Sequence, residues 1–230
     1  MIKLLIANGD SFTAGDGMPD FKKNPGKKSM LTWPACLCRQ AKIPHLLNVA
    51  ESGCGSAQFV LRTTMTQIHY LLENSHVSPQ EILVGILYGS YKRFELPIEG
   101  KGWIKGYWGN KEKMVQNWIR YCVSDASSSF YYFNDVLMLQ ILLEKLGIKY
   151  FMMSLFSDIL TMNFQETKFF KKNINFDSFF FVPEYEYGAF FAWAEKNNYK
   201  MTPCSHFCED AHSDFVNYHL IPWLNNRIGL

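Results

Sequence analysis

The sequence predicts an α/β protein: a three-layer α/β/α sandwich with a mainly parallel, flavodoxin-like sheet. Three observations predict it. Short, nearly continuous apolar runs recur at residues 2–7, 46–50, 82–88 and 148–155, as expected for strands buried on both faces. Stretches of helical period separate them, and strand-helix alternation builds parallel βαβ units. The first three runs break into turn-rich segments, "NGDS", "ESGCGS" and "GSYKRFE", and such loops gather beyond the carboxyl ends of a parallel sheet.

The run at 2–7 stops at Asn8 and Gly9, and Ser11 follows where a helix should begin. Cys36 and Cys38 are expected on a helix after Trp33 and Pro34. Leu61, Thr64, Ile68, Leu71 and Leu72 share one helical face after the second run. Val136, Leu139, Leu143 and Leu146 share another, with Asn134 as the expected N-cap and Gly147 as terminator. Pro222 is expected to kink or restart the last helix. Residues 96–132, with Trp103, Trp108 and Trp118, and residues 156–182, with "FQETKFF" and "FDSFFFV", fit no element of this scheme. They read either as a lid or substrate wall or as extra core packing or an oligomer contact.

At 230 residues and 48% hydrophobic composition the chain is read as one domain, 1–230, with a large core and with insertions at about 96–132 and 156–182. A net charge of +2 gives no global field for nucleic acid or an anionic membrane. No apolar stretch approaches the ~20 residues of a membrane span, and the N-terminal run is too short for a signal-peptide core. A cytoplasmic location is therefore expected, with the six cysteines as reduced thiols. No cofactor motif follows the first strand.

Ser11 occupies a place where unpaired backbone N–H groups favour negative charge, which is half of an acyl-transfer site. By itself this pattern reads equally as an N-cap, with Asp10 or Ser11 serving the helix start. The far end of the chain adds the missing half. "CEDAHSDF" sets His212 just after the carboxylates Glu209 and Asp210, and an imidazole oriented by an acid can take a serine proton. A competing pattern overlaps it: Cys204, His206, Cys208 and His212 are zinc-ligand types at spacings that match no common structural site.

In "NGDSFTAG", "NVAESGCGS" and "EDAHSDFVNY" the sequence resembles the SGNH or GDSL-type hydrolases. The resemblance implies Ser11 as nucleophile and oxyanion donor, and Gly53, or alternatively Gly55, as a second backbone donor. It implies His212 as base, oriented by Asp210 or Glu209, with residue type favouring Asp210. The family's third block carries an Asn donor, which Gly89, Ser90, Tyr91 and Lys92 lack; the Ser90 hydroxyl or backbone groups alone would replace it. "SYKRFE" is similar to a Ser-x-x-Arg-x-Glu variant in SGNH-like proteins of bacteriophages, in which Arg93 and Glu95 would pair near the site, with a host cytoplasm or virion as location. The implied reaction is hydrolysis of a small acyl ester, including a carbohydrate O-acetyl ester, without a cofactor. A binding or structural protein with a damaged site is the alternative.

Overall fold

The computed structural model describes residues 1–24, 26–100, 102–106, 110–156, 161–182 and 190–230; Trp108 lies outside them. Strand β1 (Leu4–Gly9) is buried along its whole length. Its side chains divide between two cores, Leu5 and Ala7 on one face and Leu4 and Ile6 on the other. A strand that feeds both faces needs no polar side, which is why its sequence reads as a continuous run.

β2 (His45–Asn48), β3 (Ile82–Tyr88) and β6 (Lys149–Ser154) complete a parallel sheet in the order β2-β1-β3-β6. Leu5 lies opposite Leu46 on one side and Leu83 on the other, and Gly85 lies opposite Phe151. The central sheet of the three-layer α/β/α sandwich is thus parallel, as the alternation predicted. Helix α3 (Trp33–Ala41) and the C-terminal helices Phe190–Lys196, Glu209–Phe215 and Ile221–Ile228 cover the first face. Helices α4 (Ala57–Asn74) and α6 (Asp125–Leu146) cover the second. No described helix is long and apolar enough to cross a membrane.

One helix boundary differs from the sequence reading. α6 starts at Asp125, with Ser124 as a capping-box N-cap, so Asn134 lies inside the helix; Gly147 ends it at φ 68°. A reciprocal Ser124–Ser127 cap satisfies two orphan N–H groups, which a buried apolar face farther along cannot do. Pro222 restarts the last helix, as expected: it falls in the first turn of Ile221–Ile228, directly after a π-helical turn at Val216–Leu220.

The segment at 96–132 contributes an antiparallel hairpin, β4 (Phe94–Ile98) with β5 (Gly102–Gly106), and helix α5 (Lys113–Cys122). The segment at 156–182 supplies core: Met162, Ile174, Phe179, Phe180 and Val182 are buried, and Phe179 bridges to Met152 of β6. All six cysteines are free, three of them buried.

Close packing at the middle of the sheet is directly testable. A Cβ at Gly85 would lie 2.6 Å from Phe151 Cζ and 3.0 Å from Trp33 Cη2. Gly85→Val should lower unfolding free energy by about 1–3 kcal/mol by overpacking, read from the urea midpoint with far-UV circular dichroism retained. An unchanged midpoint would contradict this packing.

Candidate active site

β1 ends by turning Asn8 into the core, where its Nδ2 donates to Thr63 Oγ1 (2.7 Å) and Thr64 Oγ1 (2.9 Å) of α4. This anchors the strand end and leaves Gly9 to start the turn. Asp10 then caps the one-turn helix α1 (Ser11–Ala14), its Oδ1 accepting from the Phe12 N–H at 3.0 Å. The N-cap reading is therefore correct for Asp10, and Ser11 becomes the first helical residue, without an intrahelical partner for its N–H. Asn48 Nδ2 (2.8 Å) and Thr32 Oγ1 (3.1 Å) both donate to the Thr13 carbonyl and fix α1 from outside.

Asp10 is fully buried, and Arg93 answers its charge: Nη1 donates to Asp10 Oδ2 at 2.8 Å and also to the Cys54 carbonyl. Burial pushes the Asp10 carboxyl above its ordinary value, while Arg93 and the Phe12 N–H pull the other way. The loops after β1, β2 and β3 are thereby knotted together. Gly55 allows the approach: it has φ 90°, a Cβ there would stand 2.7 Å from Asp10 Cβ, and its carbonyl accepts from the Gly89 N–H at 3.0 Å. Gly53, at φ 76°, has open space around it, limited by Lys105, whose Nζ donates to the Ser52 carbonyl at 2.9 Å.

The expected Arg93–Glu95 pair does not form. Glu95 instead pairs with Arg62 of α4 through contacts of 2.9–3.2 Å, and Arg62 also stacks over Trp103, 4.6 Å from its ring centroid. The reason is desolvation: Asp10 and Glu95 are both buried, and each carboxylate requires its own cation. Ser90 faces its own loop, its Oγ accepting from the Lys92 N–H at 3.2 Å.

The imidazole beside Ser11 is His206. Its Nε2 lies 2.7 Å from Ser11 Oγ, and its ring packs on Phe12 with centroids 4.5 Å apart. A short loop presents it: Met201 bridges Phe207, the Thr202 N–H donates to the His206 carbonyl (2.7 Å), and the His206 N–H donates to Thr202 Oγ1 (3.2 Å). His206 Nδ1 is buried without a hydrogen-bond partner among the described residues.

His212 makes no hydrogen bond to Ser11. It lies in the fourth position of Glu209–Phe215, on the buried stripe with Ala211 and Phe215, and stacks on Phe190 at 4.9 Å. Its Nδ1 accepts from the Trp33 N–H at 3.3 Å. Burial, helped by the charge of His206, lowers its pKa to about 3, so the ring is neutral. Glu209 and Asp210 are exposed in the first turn of that helix and bond neither histidine. They complement the helix dipole instead. Cys208 is the N-cap, and this start point decides the matter: residues 209 and 210 turn outward, 212 turns inward, and 206 stays in the loop. The helix-start signal, two acids after Cys208, was available in the sequence, but His206 figured there only as a zinc-ligand type. Among the described residues no three His, Cys, Asp or Glu side chains gather as a metal-binding group, so the Cys204/His206/Cys208/His212 pattern does not converge.

Ser11 and His206 can exchange a proton, and Ser11 at the start of α1 and Gly53 on the loop after β2 carry backbone N–H groups of the kind that can meet an oxyanion. Comparison with solved structures shows a likeness of fold. An acetyl xylan esterase from the rumen bacterium Butyrivibrio proteoclasticus shares the fold with a TM-score of 0.55 over 99% of this chain and 64% of that one, at 13% identity. A member of the lipolytic protein G-D-S-L family from Veillonella parvula aligns over 98% of each chain at 12% identity and a TM-score of 0.49. A phospholipase A1 from Streptomyces albidoflavus aligns over 99% of this chain and all of its own, at 10% identity and a TM-score of 0.42. No family model and no curated protein sequence matches the chain.

Two outcomes test the site's electrostatics. Arg93→Met leaves a buried carboxylate without its cation and should cost about 3–5 kcal/mol at neutral pH, much of it recovered when Asp10→Asn is added; denaturant titration of the three variants checks it. His212 is neutral when folded and has an ordinary pKa when unfolded, so stability is full above pH 6.5 and falls as pH drops toward 3, by at most about 1.4 kcal/mol per unit. Among folded variants, His212→Gln should flatten that part of the stability–pH curve.

Proposed function

We propose that the protein is a serine-dependent ester hydrolase in which Ser11 is the nucleophile and His206 the general base. The observation that carries this reading is the 2.7 Å contact between Ser11 Oγ and His206 Nε2, made between residues 195 positions apart at the carboxyl end of a parallel sheet. For the base role the neutral ring holds its proton on Nδ1 and turns the Nε2 lone pair to the hydroxyl. Ser11 then attacks the ester carbonyl, His206 takes the proton and returns it to the leaving alcohol, and water activated by the same ring releases the acid. The N–H groups of Ser11 and Gly53 hold the oxyanion.

Among the described residues no carboxylate bonds His206. The residues two and three positions before it are Cys204 and Pro203, and Nδ1 has no hydrogen-bond partner among the described residues. Within that set the imidazolium formed during attack is supported by the more distant charge of Asp10, which His206 feels across the site. In a full triad, loss of the orienting acid costs on the order of 10⁴ in rate. This favours a slow esterase acting on reactive, small acyl esters, and the same orphaned nitrogen is what supports the alternative of a weakly active, SGNH-like binding protein.

Hydrolysis of p-nitrophenyl acetate separates the histidines. Ser11→Ala and His206→Ala should each lower kcat/KM by about 10²–10⁴, whereas a folded His212→Gln variant should stay within tenfold of wild type. Loss of turnover in the His212 variant with retention in His206→Ala would reverse the assignment.

A further inference from the structure

The Gly53 N–H that the hydrolase reading assigns to the oxyanion belongs to the same planar peptide as the Ser52 carbonyl, and in a trans peptide the two point in opposite directions. Whatever fixes the carbonyl therefore fixes the N–H. Residues 51–54 form a β-turn closed by the Cys54 N–H on the Glu51 carbonyl at 3.1 Å, with Gly53 at φ 76° and Ser52 outside the positive-φ region. This is a type II turn with the Ser52–Gly53 peptide at its centre. Type I and type II turns differ chiefly by a half-rotation of that central peptide, and glycine in the third position adopts either sign of φ at little cost. By itself such a turn does not hold its N–H in one direction.

Lys105 of β5 supplies the hold. Its Nζ donates to the Ser52 carbonyl at 2.9 Å and pairs with Glu51 at 3.2 Å, and its Cδ is the nearest described atom to a Cβ placed on Gly53, at 4.0 Å. The ammonium thus sits on the carbonyl side of the peptide, and the Gly53 N–H faces away from it. A cation on the carbonyl also polarises the amide and strengthens its N–H as a donor. The hairpin that carries Lys105 is itself anchored: Lys105 lies opposite Glu95 in the β4–β5 register, and Glu95 is the buried carboxylate held by Arg62 of α4. On the other side of the turn, Ser52 Oγ donates to Asp16 Oδ1, and the Asp16 N–H donates to the Ser11 carbonyl at 3.1 Å, which ties the turn to the backbone of Ser11.

We propose that Lys105 is a positioning residue for the oxyanion site: from the β4–β5 hairpin it holds the Ser52–Gly53 peptide in the orientation that presents the Gly53 N–H to the reacting carbonyl. The catalytic part rests on the hydrolase reading and the hold on the peptide does not, so two measurements test them apart. In the first, Lys105→Met and Lys105→Arg are compared with wild type on p-nitrophenyl acetate. Lys105→Met should lower kcat by about 10–100-fold, less than the ~10²–10³ lost when a donor is removed outright, with KM within about twofold. Lys105→Arg keeps a cation on a long stem and should recover most of that loss, with the urea midpoint unchanged in both variants. An undiminished kcat in Lys105→Met, or a loss that follows a lowered midpoint and is not recovered by Lys105→Arg, would overturn the proposal, the second by making Lys105 a structural clamp. In the second measurement, nuclear Overhauser contacts of the Gly53 N–H are recorded. In the type II turn this proton lies near the Ser52 Hα, and after rotation of the peptide it lies near the Ser52 N–H. Lys105→Met should gain the N–H to N–H contact, and Lys105→Arg should keep the wild-type pattern. The wild-type pattern in Lys105→Met overturns the proposal whatever the kinetics, whereas the expected change in a protein whose wild type cleaves no ester keeps the hold on the peptide and removes only the hydrolase reading.

Discussion

A carboxylate with no exposure to water organises one end of this molecule. Asp10 caps the helix that begins with Ser11, and burial makes its charge costly unless a cation reaches it. Arg93 is that cation, and because the same Nη1 also holds the Cys54 carbonyl, the loops leaving β1, β2 and β3 cannot move independently. The placement of Ser11 is thus set by an ion pair one residue away, not by Ser11 itself.

Around this knot the fold does two things. The sheet order β2-β1-β3-β6 puts the end of β1 at the point where the chain changes direction across the sheet, the usual place for a site in open α/β folds. The C-terminal helices then enclose it with rings: Phe12, Phe190, Phe191 and Phe207 pack on one another, His206 lies on Phe12, and His212 on Phe190. Two imidazoles share one aromatic shell with different duties. His212 is kept neutral by desolvation and supports the backbone of Trp33; His206 reaches the hydroxyl from a loop at the rim of the shell.

Much of this was legible in the residues. Continuous apolar runs gave the parallel strands because each feeds two cores, and the Gly9–Asp10–Ser11 turn follows from a strand that stops at a buried Asn. The sequence reading set His212 beside Ser11, where the structure has His206, because two histidines lie six residues apart and only the helix start at Cys208 separates a loop residue from a core residue. The Arg93–Glu95 pairing failed for a different reason: side chains two apart in sequence were matched to each other, while burial of two separate carboxylates required partners from distant segments, Arg93 for Asp10 and Arg62 for Glu95. The hairpin β4–β5 left no clear alternation because its buried positions are Glu95 and Gly106, while its apolar residues stay partly or fully exposed. Long-range charge pairing is a tertiary fact that no local period encodes.

The central claim is that His206, not His212, activates Ser11. The most direct measurement is covalent labelling with a fluorophosphonate, with the modified peptide mapped by mass spectrometry. The account predicts a single adduct on Ser11 in wild type, lost or greatly slowed in His206→Ala and retained in folded His212→Gln. An adduct on another residue, or labelling of Ser11 at an undiminished rate without His206, would contradict it.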